Sequence, residues 1–270
     1  LIKAAVNDEM PALALTDLSN LHAAVKFYKK CLDKGIKPIL GSVIRLNDAE
    51  HKATLLSMTN KGWRSLTEIV SRGFIEGQQL DIPCVKKEWV LEQNEDIIVL
   101  LGMHSDVGKM LNSSNPQKAE ALLEEWIEKF GNRVYLALTR TDRPDEESFI
   151  AGAVKLAQKY NIGVVAHNDV HFIAPTDFEA HEARVCIADG YVLGDNRRPR
   201  SYTPEQYFKT AEQMTELFSD IPTAIENTYH IAKRCNVSLR LGFNDLPDFP
   251  IPEGHTIDTF FEHISKEGLE

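Results

Sequence analysis

The sequence predicts an α/β fold built around a parallel sheet, either a (β/α) barrel or an open doubly wound sheet. Short apolar runs of strand length recur along the first two thirds of the chain. Stretches with apolar residues at helical spacing separate most of these runs, which is the pattern of strand–helix units joined by right-handed crossovers. The length of 270 residues allows one large α/β domain or two smaller ones.

Six apolar runs are the candidate strands. In chain order they are Ala12–Leu15, Ile36–Leu46, Ala53–Met58, Asp96–Leu101, Arg133–Leu138 and Gly163–Ala166. A helical stretch that Pro11 ends precedes the first run, because proline cannot continue a helix. We therefore expect at least one further element upstream of Leu1.

Helical segments lie between and after the candidate strands. Apolar residues form one stripe across Lys118–Phe130, and Pro144 stands where a first helical turn would tolerate proline. After about residue 175 the pattern becomes mostly helical. Thr210 and Gln213 fit a capping box, and Pro222 opens a further helix. Additional helices are therefore expected after the last strand.

The segment Leu246–Gly254 contains three prolines in nine residues, which is typical of an extended linker. We therefore divide the chain into a main domain, residues 1–245, and a linker with the start of a following region, residues 246–270.

Composition excludes several classes of protein. No segment approaches the roughly 18 consecutive apolar residues that a membrane span needs, so no membrane association is expected. With 30 basic and 40 acidic residues the formal charge is −10. We expect weak DNA binding by this region alone, because binding to phosphates depends on cationic groups. The four cysteines are widely spaced without a C-x-x-C pair, which favours buried, reduced thiols and a cytoplasmic location.

Polar side chains follow several candidate strands at their carboxyl ends, where parallel barrels place functional groups. Asp17 follows the first run, His104 follows the fourth, and the segment His167–His171 follows the last. In an extended chain His167, Asp169 and His171 share one face, because side chains alternate along a strand. Two imidazoles and a carboxylate could together hold a metal ion.

Each of these residues also has a structural explanation. Asp17 could cap a helix that begins near Asn20, and His104 beside a glycine fits a loop. An aspartate and a histidine two residues apart can pair by an ordinary hydrogen bond. His181, beside two glutamates, fits a surface or packing residue better than a ligand.

Other chemistries lack their sequence motifs. The chain contains no G-x-x-x-x-G-K-[ST] phosphate loop, no G-x-G-x-x-G fingerprint, no G-x-S-x-G elbow and no H-E-x-x-H pair. Acid–base catalysis by two carboxylates stays open, because 40 acidic residues make chance pairs uninformative.

Several long runs resemble the PHP (polymerase and histidinol phosphatase) domain at the front of bacterial DNA polymerase III α subunits of the proteobacterial type. They include PALALTDLSNL, GIKPILGSVIRL, NKGWRSLTEIVSRGF, the stretch Arg140–Ile173 and FSDIPTAIENTYHIAKRCNVSL. The resemblance implies a distorted seven-stranded (β/α) barrel, with additional helices after the last strands and its first strand upstream of Leu1.

The resemblance also implies a metal site. In active PHP domains, His, Asp, Glu and Cys side chains bind ions such as Zn²⁺ or Mn²⁺, which activate water and stabilise charge on a phosphoester. Asp169 and His171 match the N-D-x-H run of the family and are vestigial candidates for ligands here. Asp17 and His104 are weaker candidates near that site, and His167 has no matching role.

Other positions depart from the family pattern. Leu18 stands where a ligand histidine is expected, and Val43 stands where a carboxylate is expected. Lys52 aligns with a further histidine, although His51 is one position away, and the expected cysteine falls near Met103–His104. Leu and Val have no lone pairs to donate, and a lysine would place a cation beside a dication. We expect a degenerate site with no active catalytic residue.

Three functions follow from these observations. The first is a structural and partner-docking PHP domain of a replicative polymerase, with no cofactor of its own and Mg²⁺ in the polymerase region. Its partners would be the rest of the polymerase chain, a proofreading exonuclease subunit, other replisome proteins and, through the parent chain, DNA. The alternative is an active metal-dependent phosphoesterase, either a 3′–5′ exonuclease or a small-molecule phosphatase. A stand-alone scaffold protein is the third.

Overall fold

A computed structural model describes residues 1–47, 50–113, 115–243 and 249–269. The chain divides into two compact units, Leu1–Ser238 and Leu239–Glu270. The division predicted at residues 245 and 246 lies outside the described residues and stays a prediction.

Six strands of the first unit form one curled sheet in the order β1-β2-β3-β6-β7-β8, and β4 and β5 form a separate hairpin. The strands are β1 (Ala12–Leu15), β2 (Lys37–Leu46), β3 (His51–Ser57), β4 (Gln78–Gln79), β5 (Ile82–Pro83), β6 (Ile97–Leu101), β7 (Val134–Leu138) and β8 (Gly163–Ala166). All six predicted strands are confirmed, with ends that agree to within two residues. A curled six-stranded sheet packed with helices is consistent with a PHP-type barrel, but a seventh strand is not confirmed.

The expectation of a purely parallel sheet is wrong at β3, which runs antiparallel to both β2 and β6. Only residues 47–50 separate β2 from β3, whereas a parallel crossover needs about a dozen residues or more. The pairs β1–β2, β6–β7 and β7–β8 are parallel. The carboxyl ends of five strands and the amino end of β3 therefore meet at one edge of the sheet.

The helices are α1 (Ile2–Asn7), α2 (Ala24–Asp33), α3 (Asn60–Ile75), α4 (Lys87–Glu92), α5 (Asp106–Asn112), α6 (Pro116–Phe130), α7 (Glu146–Tyr160), α8 (Phe178–Asp189), α9 (Ala211–Leu217), α10 (Pro222–Arg234) and α11 (Ile257–Glu267). The predicted helices after the last strand, the start at Pro222 and the Thr210–Gln213 capping box are confirmed. Pro144 precedes α7 instead of lying in its first turn, because Asp145 adopts a left-handed conformation before the helix begins.

The two faces of the sheet carry different clusters. One face packs Ile44, Leu55 and Val99 against helices that include α6, whose Trp126 is fully buried. The other face, here called the site face, carries a smaller apolar cluster that includes Leu56, Ile98, Leu100 and Tyr135. Because side chains alternate along a strand, residues 45 and 52 project from the site face as well, near the shared edge. The site face therefore changes from apolar to polar along its strands.

The cysteines and the helices agree with what the composition predicts. All four cysteines are free and buried, which confirms their expected role as packed thiols. No described helix is both long enough and apolar enough to cross a bilayer.

Candidate functional site

The segment that follows β8 is held by backbone hydrogen bonds on two sides. The amide of His167 donates to the carbonyl of Leu138 at 2.8 Å, which continues the pairing of β8 with β7. The amide of His171 donates to the carbonyl of Gln206 at 2.9 Å. Asp169 lies between these two anchors, so the fold fixes the position of its side chain.

The carboxylate of Asp169 is engaged on both oxygens by protein donors. Arg143 Nη1 lies 3.1 Å and Gln206 Nε2 lies 2.8 Å from Oδ2, while His171 Nε2 lies 3.3 Å from Oδ1. The side chain of Arg143 is 17% exposed, and those of Asp169 and His171 are each 30% exposed. Hydrogen bonds from a charged donor to a carboxylate are stronger than neutral ones, so this is a well-defined ion-pair network.

The electrostatics keep Asp169 ionised. Burial by itself would raise the pKa of Asp169. The hydrogen bond with His171 and the charges of His167, His171 and Arg143 act in the opposite direction and outweigh burial. The pKa of Asp169 is therefore held well below its usual value.

Arg143 belongs to a loop that the buried carboxylate of Glu146 organises. The backbone amide and the hydroxyl of Thr141 both donate to Glu146 at 2.6 Å, and the amide of Arg143 donates to it at 3.4 Å. Thr203 Oγ1 donates to the carbonyl of Thr141 at 2.5 Å and ties the neighbouring segment to this loop. The position of the Arg143 guanidinium is thus set by the chain around it.

Lys52 and His104 lie at the same edge. The amide of Lys52 donates to the carbonyl of His104 at 2.8 Å, and Lys52 is the cross-strand partner of Arg45. Burial and then the charges of Arg45, Arg143 and Lys109 lower the pKa of Lys52. Burial, followed by Arg143 and Lys52, lowers the pKa of His104. Only the charge of Asp169 opposes these shifts in both groups, so the edge is rich in positive charge.

The first two strands bring Leu18 and Val43 together, as the backbones of these residues form a parallel bridge. The carbonyl of Asp17 accepts from the amide of Val43 at 3.2 Å and from the hydroxyl of Ser42 at 2.8 Å. Asp17 therefore supports the strand ends through its backbone. The cap suggested for a helix near Asn20 is wrong, because α2 begins at Ala24 with Ala23 as its N-cap.

An aromatic cluster borders Asp169. His181 is 5% exposed, and its ring centroid lies 5.5 Å from that of His171 and 4.6 Å from that of Tyr202. Burial, followed by the charges of Arg184 and His171, lowers the pKa of His181. The packing interpretation of His181 is confirmed, and its alternative as a surface residue is wrong.

The structure brings Asp169 and His171 into contact, and it places His104 at the same edge. Across the described ranges, no group of three or more His, Cys, Asp or Glu side chains is arranged to hold a metal ion. Arg143 and Gln206 were not found from the sequence. Arg143 could have been, since it follows β7, whose carboxyl end adjoins that of β8.

Comparisons with known proteins identify the family. A family model described as the PHP domain matches residues 1–141. The chain is 48% identical to the DNA polymerase III subunit alpha of Pseudomonas fluorescens and of Pseudomonas aeruginosa over its full length. It is 44% identical to that of Escherichia coli, again over its full length. The chain spans 24% of each of these three relatives. On this evidence the chain belongs to the PHP domain family.

Proposed function

We propose that this chain is the PHP domain of a replicative DNA polymerase α subunit and that the domain is structural, without hydrolytic activity of its own. The observation that carries the proposal is the engagement of Asp169. Its two oxygens already accept from Arg143, Gln206 and His171, and the guanidinium supplies the positive charge that a metal ion would supply in a hydrolase.

The neighbouring positions support the same conclusion. Leu18 and Val43, which face each other at the strand ends, have no lone pairs for a metal ion. A catalytic zinc or manganese site needs several protein ligands at fixed geometry with an open position for water. Lys52 adds a cation to the edge and would repel a dication. The donor set therefore does not fit a catalytic metal ion.

The parent protein would carry out DNA-templated DNA synthesis. Three relatives with 44–48% identity are DNA polymerase III α subunits about four times as long as this chain. We place nucleotidyl transfer and its Mg²⁺ ions in the part of such a subunit that these residues do not include, and we place the protein in the cytoplasm with the chromosome.

The role proposed for the domain is to brace the polymerase and to offer a docking surface. Its partners are the rest of the polymerase chain, a proofreading exonuclease subunit and other replisome proteins. The formal charge of −10 disfavours binding of DNA by this domain alone, because binding to phosphates depends on cationic groups. The domain would meet DNA through the parent chain.

The metal content of the full α subunit tests the degenerate site. After incubation with Zn²⁺, Mn²⁺ or Fe²⁺ and removal of free ions, we expect much less than one such ion per subunit by elemental analysis. A stoichiometric amount of any of them would contradict the proposal and favour the phosphoesterase.

Release of nucleotides from a DNA 3′ end tests the alternative directly. We expect no metal-stimulated release by the subunit without its exonuclease partner. Any release that belongs to this site must disappear in Asp169→Ala and persist in Asp195→Ala, a control at an exposed loop where Asp195 pairs with Arg197. Release that survives in both variants indicates a contaminating nuclease.

Hydrogen exchange of the full subunit tests docking. Addition of the proofreading exonuclease subunit should slow exchange in surface segments of residues 1–238. If the complex with the exonuclease subunit forms and exchange is unchanged throughout these residues, the domain does not dock that subunit.

A further inference from the structure

The second unit, Leu239–Glu270, lacks a buried core in its described part. It contains about 30 residues and no cysteine, whereas units of fewer than about 40 residues usually need a disulfide, a metal ion or a partner to fold. None of its described residues is buried, and among them only Leu239, Ile251 and Phe260 are partly buried. The unit therefore depends on packing against other protein.

One face of α11 is apolar. Four residues at positions i, i+3, i+4 and i+7 form a single stripe along this helix, namely Ile257, Phe260, Phe261 and Ile264. Phe260 has ring contacts with Phe249 and His255, at centroid distances of 6.0 and 5.7 Å. The other three residues are 65%, 74% and 43% exposed in chain order. Most of the stripe is therefore open.

Local contacts favour the helix but do not replace a packing partner. Thr256 caps the first turn by accepting from the amide of Thr259 at 3.3 Å, and Lys266 pairs with Glu262 at 2.6 Å on the polar face. Isolated helices shorter than about 12 residues are marginal in water, and most helices in proteins are stabilised by packing of an apolar face. Because α11 has 11 residues, its stripe marks a surface that another part of the protein covers.

Charge and chain length restrict what covers the stripe. Leu239–Glu270 carries seven acidic and two basic side chains, and residues 1–238 are acidic as well, with 33 acidic and 28 basic side chains. Surfaces of the same sign repel each other, which disfavours a second copy of this chain. The three relatives are about four times as long as the chain, which spans 24% of each. A region joined to α11 by the same backbone meets the stripe at a high effective concentration.

We propose that the apolar face of α11 is a docking surface for the polymerase region of the same parent chain, which covers Ile257, Phe261 and Ile264 with apolar side chains and borders them with basic ones. The inference rests on the proposed function, because it requires a polymerase region in the parent chain. The proline-rich segment Leu246–Gly254 separates α11 from the first unit in the sequence. The helix is then the first packing element of the polymerase region.

Cysteine labelling of the full α subunit tests whether the face is covered. Phe261→Cys places a thiol on the apolar face, and the control Glu262→Cys places one on the polar face. Both residues are exposed within this unit, by 74% for Phe261 and 65% for the side chain of Glu262, so without a partner the two thiols would react at similar rates. We expect a thiol reagent to modify position 261 about tenfold more slowly or less, measured by mass spectrometry of the α11 peptide.

Photo-crosslinking identifies what covers the face and protects the test against misfolding of Phe261→Cys. A benzophenone analogue of phenylalanine at position 261 keeps an aromatic side chain on the stripe, and the same analogue at position 262 is the control. In the full α subunit we expect cross-links from position 261 to peptides of the polymerase region and few or none from position 262. Circular dichroism checks that both variants are folded.

Three results would overturn the inference. Equal labelling at positions 261 and 262 would show that the apolar face is open to solvent. Cross-links confined to residues 1–238 or to a second subunit would assign the face to another partner, and a lack of cross-links from position 261 would show that nothing covers it. Each of these results leaves the structural role of the PHP domain intact. A stoichiometric metal ion would contradict that role without changing the cross-links, so the two failures are distinguishable.

Discussion

Asp106 and Asp169 both bind a cationic side chain, yet they lie in opposite electrostatic surroundings. Lys87 Nζ lies 2.8 Å from Asp106 and 2.7 Å from Glu125, so two carboxylates share one cation. The indole nitrogen of Trp126 lies 3.2 Å from each oxygen of Asp106. At Asp169 the balance is reversed, because one carboxylate attracts both Arg143 and Lys52.

Exposure separates the two ion pairs as well. The side chains of Lys87 and Asp106 are 8% and 14% exposed, whereas those of Arg143 and Asp169 are 17% and 30% exposed. A buried pair whose hydrogen bonds are complete has a structural role. A partly open pair is also accessible to water. The difference shows that the Lys87 network is the more deeply buried of the two and that the Asp169 network is the more accessible.

The largest effect is expected at the buried pair. Lys87→Met should lower the free energy of unfolding by about 3 kcal/mol, because it leaves Asp106 buried without its cation. Urea unfolding followed by circular dichroism measures this change. Lys61→Met, at an exposed lysine that pairs with Glu95, should leave the midpoint nearly unchanged. Equal losses in the two variants would contradict a special role for the buried pair.

A smaller effect is expected at the partly open pair. Arg143→Met should lower the free energy of unfolding by about 1–2 kcal/mol, since Asp169 keeps its contacts with Gln206 and His171 and retains access to water. The same urea experiment measures it. A loss as large as that of Lys87→Met would show that the two networks contribute equally to the free energy of unfolding, which contradicts the difference inferred from their exposure.

The smallest effect concerns pH. Burial is the first cause that lowers the pKa values of His104, His167 and His181. Because the unfolded histidines bind protons more readily than the folded ones, the free energy of unfolding should fall as pH falls below about 6.5. Removal of one such histidine changes this slope by at most about 1.4 kcal/mol per pH unit.

Urea unfolding between pH 7.5 and 5 measures this slope. His181→Phe should flatten it, and His263→Phe, at an exposed position on α11, should leave it unchanged. A steeper slope after removal of His181 would show that the protonated histidine is favoured in the folded state, which is contrary to the expected sign.

The strands of the sheet were predictable from short apolar runs, most of which are buried, although β1 is only partly so. β1 and β8 coincide with their predicted ranges. The direction of β3 was not predicted, although the short connection from Leu46 to His51 already contained that information. A run of apolar residues predicts a strand. The length of the connection between two strands predicts whether they pair in parallel or antiparallel.

The site was predictable in part for a similar reason. Asp169 and His171 follow a strand directly, so a rule about strand ends finds them. The same rule applied to β7 would have found Arg143. Gln206 reaches Asp169 from a segment without regular structure, and nothing local in the sequence indicates which side chain such a segment will present. Local periodicity does not encode contacts of that kind.

The register of the β2–β3 hairpin determines which of two adjacent side chains the site receives. Lys52 is paired with Arg45, and His51 is paired with Leu46, so the lysine and the histidine project from opposite faces of the sheet. A shift of one residue would exchange them, because every side chain of a strand changes face when its register slips. Loss or gain of one residue in the connection 47–50 is therefore a single mutational step between a cationic edge and one that presents an imidazole.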